Sequence, residues 1–143
     1  MMKKYMTRVL IGMLFFMPAT LLADTAKGLN VILTAQDAQT QMMAMVLSVK
    51  TLKLKKEVRL TLCSSAGDLA VKGMKSPVLK PVNKSPKMLL KAIIKNGGSV
   101  QVCPLYLPNA SKDKSVLLKG ITVANPVEMA KSLLDQNYTT LSY

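Results

Sequence analysis

The chain has no histidine and no tryptophan, and only two cysteines, two phenylalanines and seven carboxylates in 143 residues. Without histidine, the usual general base near neutral pH and the commonest metal ligand are both missing. A Ser-His-Asp triad is excluded, and the scattered carboxylates do not form the close pair that glycoside hydrolysis needs. Two cysteines cannot close a zinc site alone. No metal site and no cofactor are therefore expected. Beyond residue 23 the chain holds one arginine, Arg59, and three tyrosines. Nucleic-acid binding relies on arginine and stacking aromatics, so it is not expected despite a formal net charge of +13.

What is present begins with a targeting pattern. Residues 1–8 are basic, Val9 to Met17 are apolar, and Pro18 to Ala23 supply a turn and a small residue before Asp24. This predicts a signal peptide over 1–23, cleavage after Ala23 and a periplasmic location. The apolar run is short for a membrane span, and the alternative reading is an uncleaved N-terminal anchor. Residues 24–143 then make one domain of 120 residues with net charge +10, since Lys3, Lys4 and Arg8 leave with the signal.

Short apolar runs alternate with helical patterns along this domain. Strands are expected at Leu29–Thr34, Glu57–Cys63, around Val100–Val102, at Ile121–Ala124 and at Tyr138–Tyr143. Helices are expected from Gln36 to Leu54 behind an Asp37 cap, and from Ser85-Pro86 to Asn96 with Met88, Leu89, Ala92 and Ile93 inward. Further helices are expected from Val71 to Met74, from Asn109 to Lys119, and from Asn125-Pro126 through Val127, Ala130, Leu133 and Leu134. Residues 75–86, with three prolines, read as an irregular solvated loop. The alternation predicts an α/β fold: a three-layer α/β/α, doubly wound domain around a mostly parallel five-stranded sheet.

The densest chemistry lies in Gly97-Gly98-Ser99-Val100-Gln101-Val102-Cys103-Pro104-Leu105-Tyr106-Leu107-Pro108-Asn109. A glycine pair ends a helix, a short strand follows, and Cys103 sits at its carboxyl end, where open α/β sheets place their ligands. Pro104 and Pro108 stop the strand. This segment, with Leu29–Thr34, Gly120-Ile121-Thr122-Val123-Ala124-Asn125-Pro126 and Leu141-Ser142-Tyr143, resembles the DsrE/DsrF-like family, which includes small exported members. The resemblance implies a three-layer α/β/α domain assembled as a trimer or hexamer. It also implies sulfur carried as a persulfide on the cysteine after the third strand, which is Cys103 here. Leu105 and Tyr106 stand where some relatives carry a second cysteine, so no Cys-x-x-Cys pair is present.

On this reading Cys103 is the nucleophile or persulfide carrier, and the partner is a sulfur-donor or thiol protein. Pro104, Tyr106, Asn109, Cys63 and Ser64 shape the pocket, the alternatives being packing for Tyr106 and a cap or turn for Asn109. A following helix near Ser111–Asp113 and nearby lysines are expected to favour the thiolate. Two other readings stay open: Cys103 as an inert buried residue, or a structural Cys63–Cys103 disulfide. Ser64-Ser65-Ala66-Gly67 reads as a helix cap, or as a cradle for an anion. Met42, Met43 and Met45 read as core or subunit-interface filler, with a soft-metal site as the alternative. Lys50, Lys53, Lys55 and Lys56, with Lys72, Lys75, Lys80, Lys84 and Lys87, form a basic face. It is solvated, or meets an anionic membrane surface or acidic partner. The competing function is a non-catalytic oligomeric binding module for a small ligand or acidic partner.

Overall fold

The computed structural model describes residues 26–143. The expected signal peptide and its cleavage site lie outside the described residues. Five strands form a single parallel sheet: β1 (Gly28–Leu33), β2 (Glu57–Leu62), β3 (Ser99–Val102), β4 (Ile121–Val123) and β5 (Tyr138–Ser142), in the order β4-β3-β2-β1-β5. Helices α1 (Ala38–Lys53) and α2 (Pro86–Lys95) follow β1 and β2, a single turn α3 (Tyr106–Asn109) follows β3, and α4 (Pro126–Leu133) follows β4. The α/β architecture is the expected one. No helix among the described residues is long and apolar enough to cross a membrane.

Chain direction decides which face each helix covers. From β1 to β4 every step moves the same way across the sheet, so right-handed crossovers place α1 and α2 on one face. They pack together there, with Met42, Met45, Leu89, Leu90 and Ile93 buried against Val31, Leu33, Leu60 and Leu62. The step from β4 to β5 runs back across the whole sheet, which sends α4 to the opposite face. There Asn30 Nδ2 donates to the Ser132 carbonyl at 3.2 Å. One short helix thus has to cover a face of five strands.

Caps form where the sequence places them. The Asp37 carboxylate accepts from Thr40 N at 2.8 Å, Ser85 Oγ from Met88 N at 3.2 Å, and Asn125 Oδ1 from Val127 N at 2.9 Å. The interior of α4 departs from expectation. Val127, Leu133 and Leu134 are exposed, and no residue of the helix is buried. The lone helix rests on a polar strip of sheet and has no neighbouring helix to pack against. It therefore depends on its cap. Asn125→Ala is expected to cost about 1 kcal/mol, read as a fall of roughly 4 °C in the thermal midpoint.

Other departures have local causes. In α2, Met88 faces out and Leu90 is buried in its place, because the packed stripe is Leu89, Leu90 and Ile93. The segment after β2 is a 3-10 helix over Ser64–Ala70, and residues 71–74 form no helix. Val71 instead bridges Leu117, which ties down the turn. The helix expected from Asn109 to Lys119 reduces to α3 and a 3-10 turn at Lys114–Val116. Ser111 between them adopts a left-handed backbone that interrupts any continuous helix.

Candidate functional site

β2 and β3 are neighbours, and their register runs Arg59↔Ser99 through Leu62↔Val102. The next residues along are Cys63 and Cys103. Their amides continue the ladder, with Cys63 N donating to the Leu33 carbonyl and Cys103 N to the Leu62 carbonyl, each at 2.8 Å. Adjacent strands lie about 4.8 Å apart, so the two cysteines stand side by side at the carboxyl edge. Both are half-buried free thiols. The structural-disulfide reading is not the state present, although β2 and β3 are the neighbouring strands that such a bridge requires.

Burial first, then the hydrogen bond and charge of neighbouring Cys103, push the Cys63 thiol from 9.0 up to about 12. A thiol held neutral in the fold gives stability that is complete below its unfolded value. That stability is lost as pH rises from about 9 towards 12. Cys63→Ser is accordingly expected to flatten the loss of stability across the lower half of that window, measured by chemical denaturation against wild type.

Of the residues expected around the pair, Tyr106 and Asn109 take the packing and turn roles that were the alternatives for them. Pro104 is half-buried directly after Cys103 and ends the strand. Tyr106 is buried, its N–H donates to the Cys103 carbonyl at 3.0 Å, and its hydroxyl donates to Asp68 Oδ1 at 2.6 Å. Burial and the Asp68 bond push that hydroxyl's pKa up, so it stays protonated. The Tyr106 ring covers Gly67, where an added Cβ would lie 2.3–2.5 Å from ring atoms. Asn109 is exposed and bonds back to the Leu105 carbonyl at 2.7 Å, which spends it on its own turn. Ser64 is exposed at the start of the 3-10 segment, with a left-handed φ of 50°. One turn of helix after Cys103 is too short to supply the dipole expected near Ser111–Asp113.

The strand order reverses between β1 and β5, so the topological switch point lies there, with Thr34 and Tyr143 joined across it. The cysteines sit to one side of it. A groove of about 520 Å³ opens instead on the α4 face, lined by Asn30, Arg59, Thr61, Gln101, Ser132 and Asp135 among others, and by neither cysteine. Arg59 pairs with Asp135 at 3.1 Å and bonds Ser132 Oγ at 3.2 Å. Its guanidinium lies 3.5 Å from the Tyr138 ring centroid. Bonds from Asn137 first, and then from Arg59, hold the Asp135 carboxyl below its usual range. Gly28 stands between Glu57 and Tyr138 in register, where an added Cβ would lie 2.0 Å from the Glu57 carbonyl oxygen, and the Tyr138 hydroxyl donates to the Glu57 carboxylate.

Sequence reasoning did not assemble this groove. The available signal was the polar set at alternate positions of β2 and β3: Glu57, Arg59, Thr61, Ser99 and Gln101. Strands of a fully covered parallel sheet are apolar on both faces. The lysines fall into two groups at opposite ends of the sheet. Lys50, Lys53, Lys55 and Lys56 lie at the end of α1 and just before β2, and Lys72, Lys75, Lys80, Lys84 and Lys87 lie beyond β2. Lys87 is drawn inward, donating to the Val71 carbonyl and, at 2.7 Å, to that of Met74.

No family model and no curated protein matches the chain. Solved structures do. The ychN protein from E. coli superposes with a TM-score of 0.66 at 17% identity, over 81% of this chain and 99% of its own. MTH1491 from Methanobacterium thermoautotrophicum, described as of unknown function, gives a TM-score of 0.58 at 12% identity, over 80% of this chain and 97% of its own. At these identities the likeness is one of fold, the fold of DsrE/DsrF-like proteins.

Proposed function

We propose that this is an exported DsrE-like protein that handles sulfane sulfur, taking it up as a persulfide on Cys103 and passing it to a thiol partner. The observation that carries this reading is a half-buried free thiol at the carboxyl edge of the sheet, beside a second thiol that is held protonated. A thiolate is the attacking group in sulfur exchange, and reactivity follows thiolate fraction and access. Cys103 is the sulfur left to react. Tyr106 and Asp68 serve as positioning residues that anchor the loop behind it.

Assembly into several copies belongs to the same proposal. Val127 on α4 and Leu134 at its carboxyl cap are 62% and 80% exposed, apolar surface that a second copy of this chain would cover. Light scattering on wild type and on Leu134→Lys tests it. A larger species that dissociates in the variant is expected, and a wild-type monomer would overturn it.

The test of sulfur handling uses reduced protein mixed with inorganic polysulfide. Sulfur taken up is read as protein persulfide trapped by alkylation plus any sulfide released. Wild type is expected to take up sulfur and Cys103→Ser to take up none. Equal uptake by both would remove the assignment. The groove favours a second reading, a binding module in which Arg59, Asn30 and Gln101 meet a small polar ligand without covalent chemistry. On that reading Arg59→Ala changes the protein's behaviour in the cell and Cys103→Ser leaves it unaltered.

A further inference from the structure

We infer that Cys63 and Cys103 form one reversible dithiol–disulfide couple, in which Cys63 resolves a persulfide carried on Cys103. The inference rests on the sulfur-handling reading above and adds to it what becomes of the sulfur.

Three observations carry it. The two cysteines are consecutive with the register pair Leu62↔Val102 on neighbouring strands, and both amides are still in the ladder. Their backbones are therefore fixed by the sheet and are not part of a loose loop. A strand spacing of about 4.8 Å falls inside the Cα separation of roughly 4.4–6.8 Å that a disulfide spans, so closure needs little backbone movement. Both cysteines are free and half-buried, so neither sulfur is committed elsewhere.

The chemistry balances with a persulfide or polysulfide as the only outside reactant. The Cys103 sulfur attacks the donor's terminal sulfur, the donor's S–S bond breaks, and the remainder leaves as a thiol or shortened polysulfide with the Cys103 proton, giving Cys103–S–SH. The Cys63 sulfur then attacks the inner sulfur of that persulfide. The Cys63–Cys103 bond forms, the inner-to-outer S–S bond breaks, and the outer sulfur leaves as hydrogen sulfide with the two protons. Two thiol sulfurs are oxidised by two electrons in all, and the sulfane sulfur is reduced by the same two. A thiol kept protonated resolves slowly, so an incoming acceptor thiol has time to take the sulfur first. Without an acceptor, the couple closes and the protein stops carrying sulfur until an external dithiol reduces it.

The test compares reduced wild type, Cys63→Ser and Cys63→Ala after treatment with inorganic polysulfide and removal of the excess. Intact mass, sulfide release and a non-reducing peptide map are followed with time. Wild type is expected to lose two hydrogens, release sulfide and yield a peptide pair joined through Cys63 and Cys103. Both Cys63 variants are expected to keep one added sulfur on Cys103. If wild type retains the added sulfur as long as the variants and no cross-linked peptide appears, the couple is refuted while the carrier reading stands. If neither variant gains sulfur, the carrier reading itself fails. The wild-type peptide map decides the matter even where a variant does not fold.

Discussion

Iodoacetamide added to the fully reduced protein at about pH 8 is expected to modify Cys103 first, and Cys63 several-fold more slowly than an ordinary cysteine. Two effects oppose each other. Burial and the neighbouring Cys103 raise the Cys63 value and so cut its thiolate fraction. The more basic thiolate is intrinsically more nucleophilic, which restores part of that loss. Peptide mapping of partly labelled protein reads the order directly. Modification of Cys63 ahead of Cys103 would reverse the roles given to the two sulfurs. Labelling Cys103→Ser separates the effects further. Burial, the larger cause of the Cys63 shift, remains in that variant, while the contribution from its neighbour changes. Cys63 is therefore expected to speed up only in part.

Gly67→Ala is expected to destabilise the fold by about 1–3 kcal/mol, the usual cost of overpacking, and to disturb the loop that follows Cys103. The new Cβ would lie 2.3 Å from Tyr106 Cδ2 and 2.5 Å from Cγ, at the root of the ring where a side chain has little room to swing. Displacing the ring pulls its hydroxyl from Asp68 and strains the Tyr106 N–H bond to the Cys103 carbonyl. Thermal unfolding of Gly67→Ala, Tyr106→Ala and the double variant provides the check. The cost of Gly67→Ala should shrink once the ring is gone, because contacting residues do not add independently. Additive losses would show that the ring is not what the new methyl group strikes. The labelling rate of Cys103 in Gly67→Ala should also shift from wild type, since the same ring anchors its loop.

Much of the architecture was legible in local patterns. Asp37, Ser85-Pro86 and Asn125-Pro126 start helices because a side-chain oxygen before a free amide is a short-range feature, independent of the rest of the fold. Four of the five strands appeared where apolar or alternating runs met a glycine, proline or lysine boundary, and β5, Tyr-Thr-Thr-Leu-Ser, was marked by its β-branched and aromatic residues. Burial was less legible. Val127 and Leu134 have the spacing of an inward stripe, yet they face solvent because the topology gives α4 no helical neighbour. Met88 and Leu90 exchange places for a similar reason, since packing against α1 and the sheet selects the face.

The candidate site divides in the same way. Cys103 could be singled out from its own segment, where a strand ends against proline and leaves a thiol at the rim. Its neighbour could not. Whether Cys63 lies one strand away or farther depends on the order β4-β3-β2-β1-β5, and strand order is a long-range property. The same holds for Arg59, which meets Asp135 and Tyr138 from 76 and 79 positions away in the chain.

Local chemistry in the linear chain thus settled the inventory: an α/β alternation, capped helices, no histidine and two thiols. Tertiary structure alone decided that those thiols are adjacent, that one sheet face is left with a polar groove, and that Tyr106 anchors its loop through Asp68. Hydrogen-bond periodicity and capping act over a few residues and are written in sequence order. Strand order and the handedness of crossovers act across the whole domain, and they determine which groups come within bonding distance.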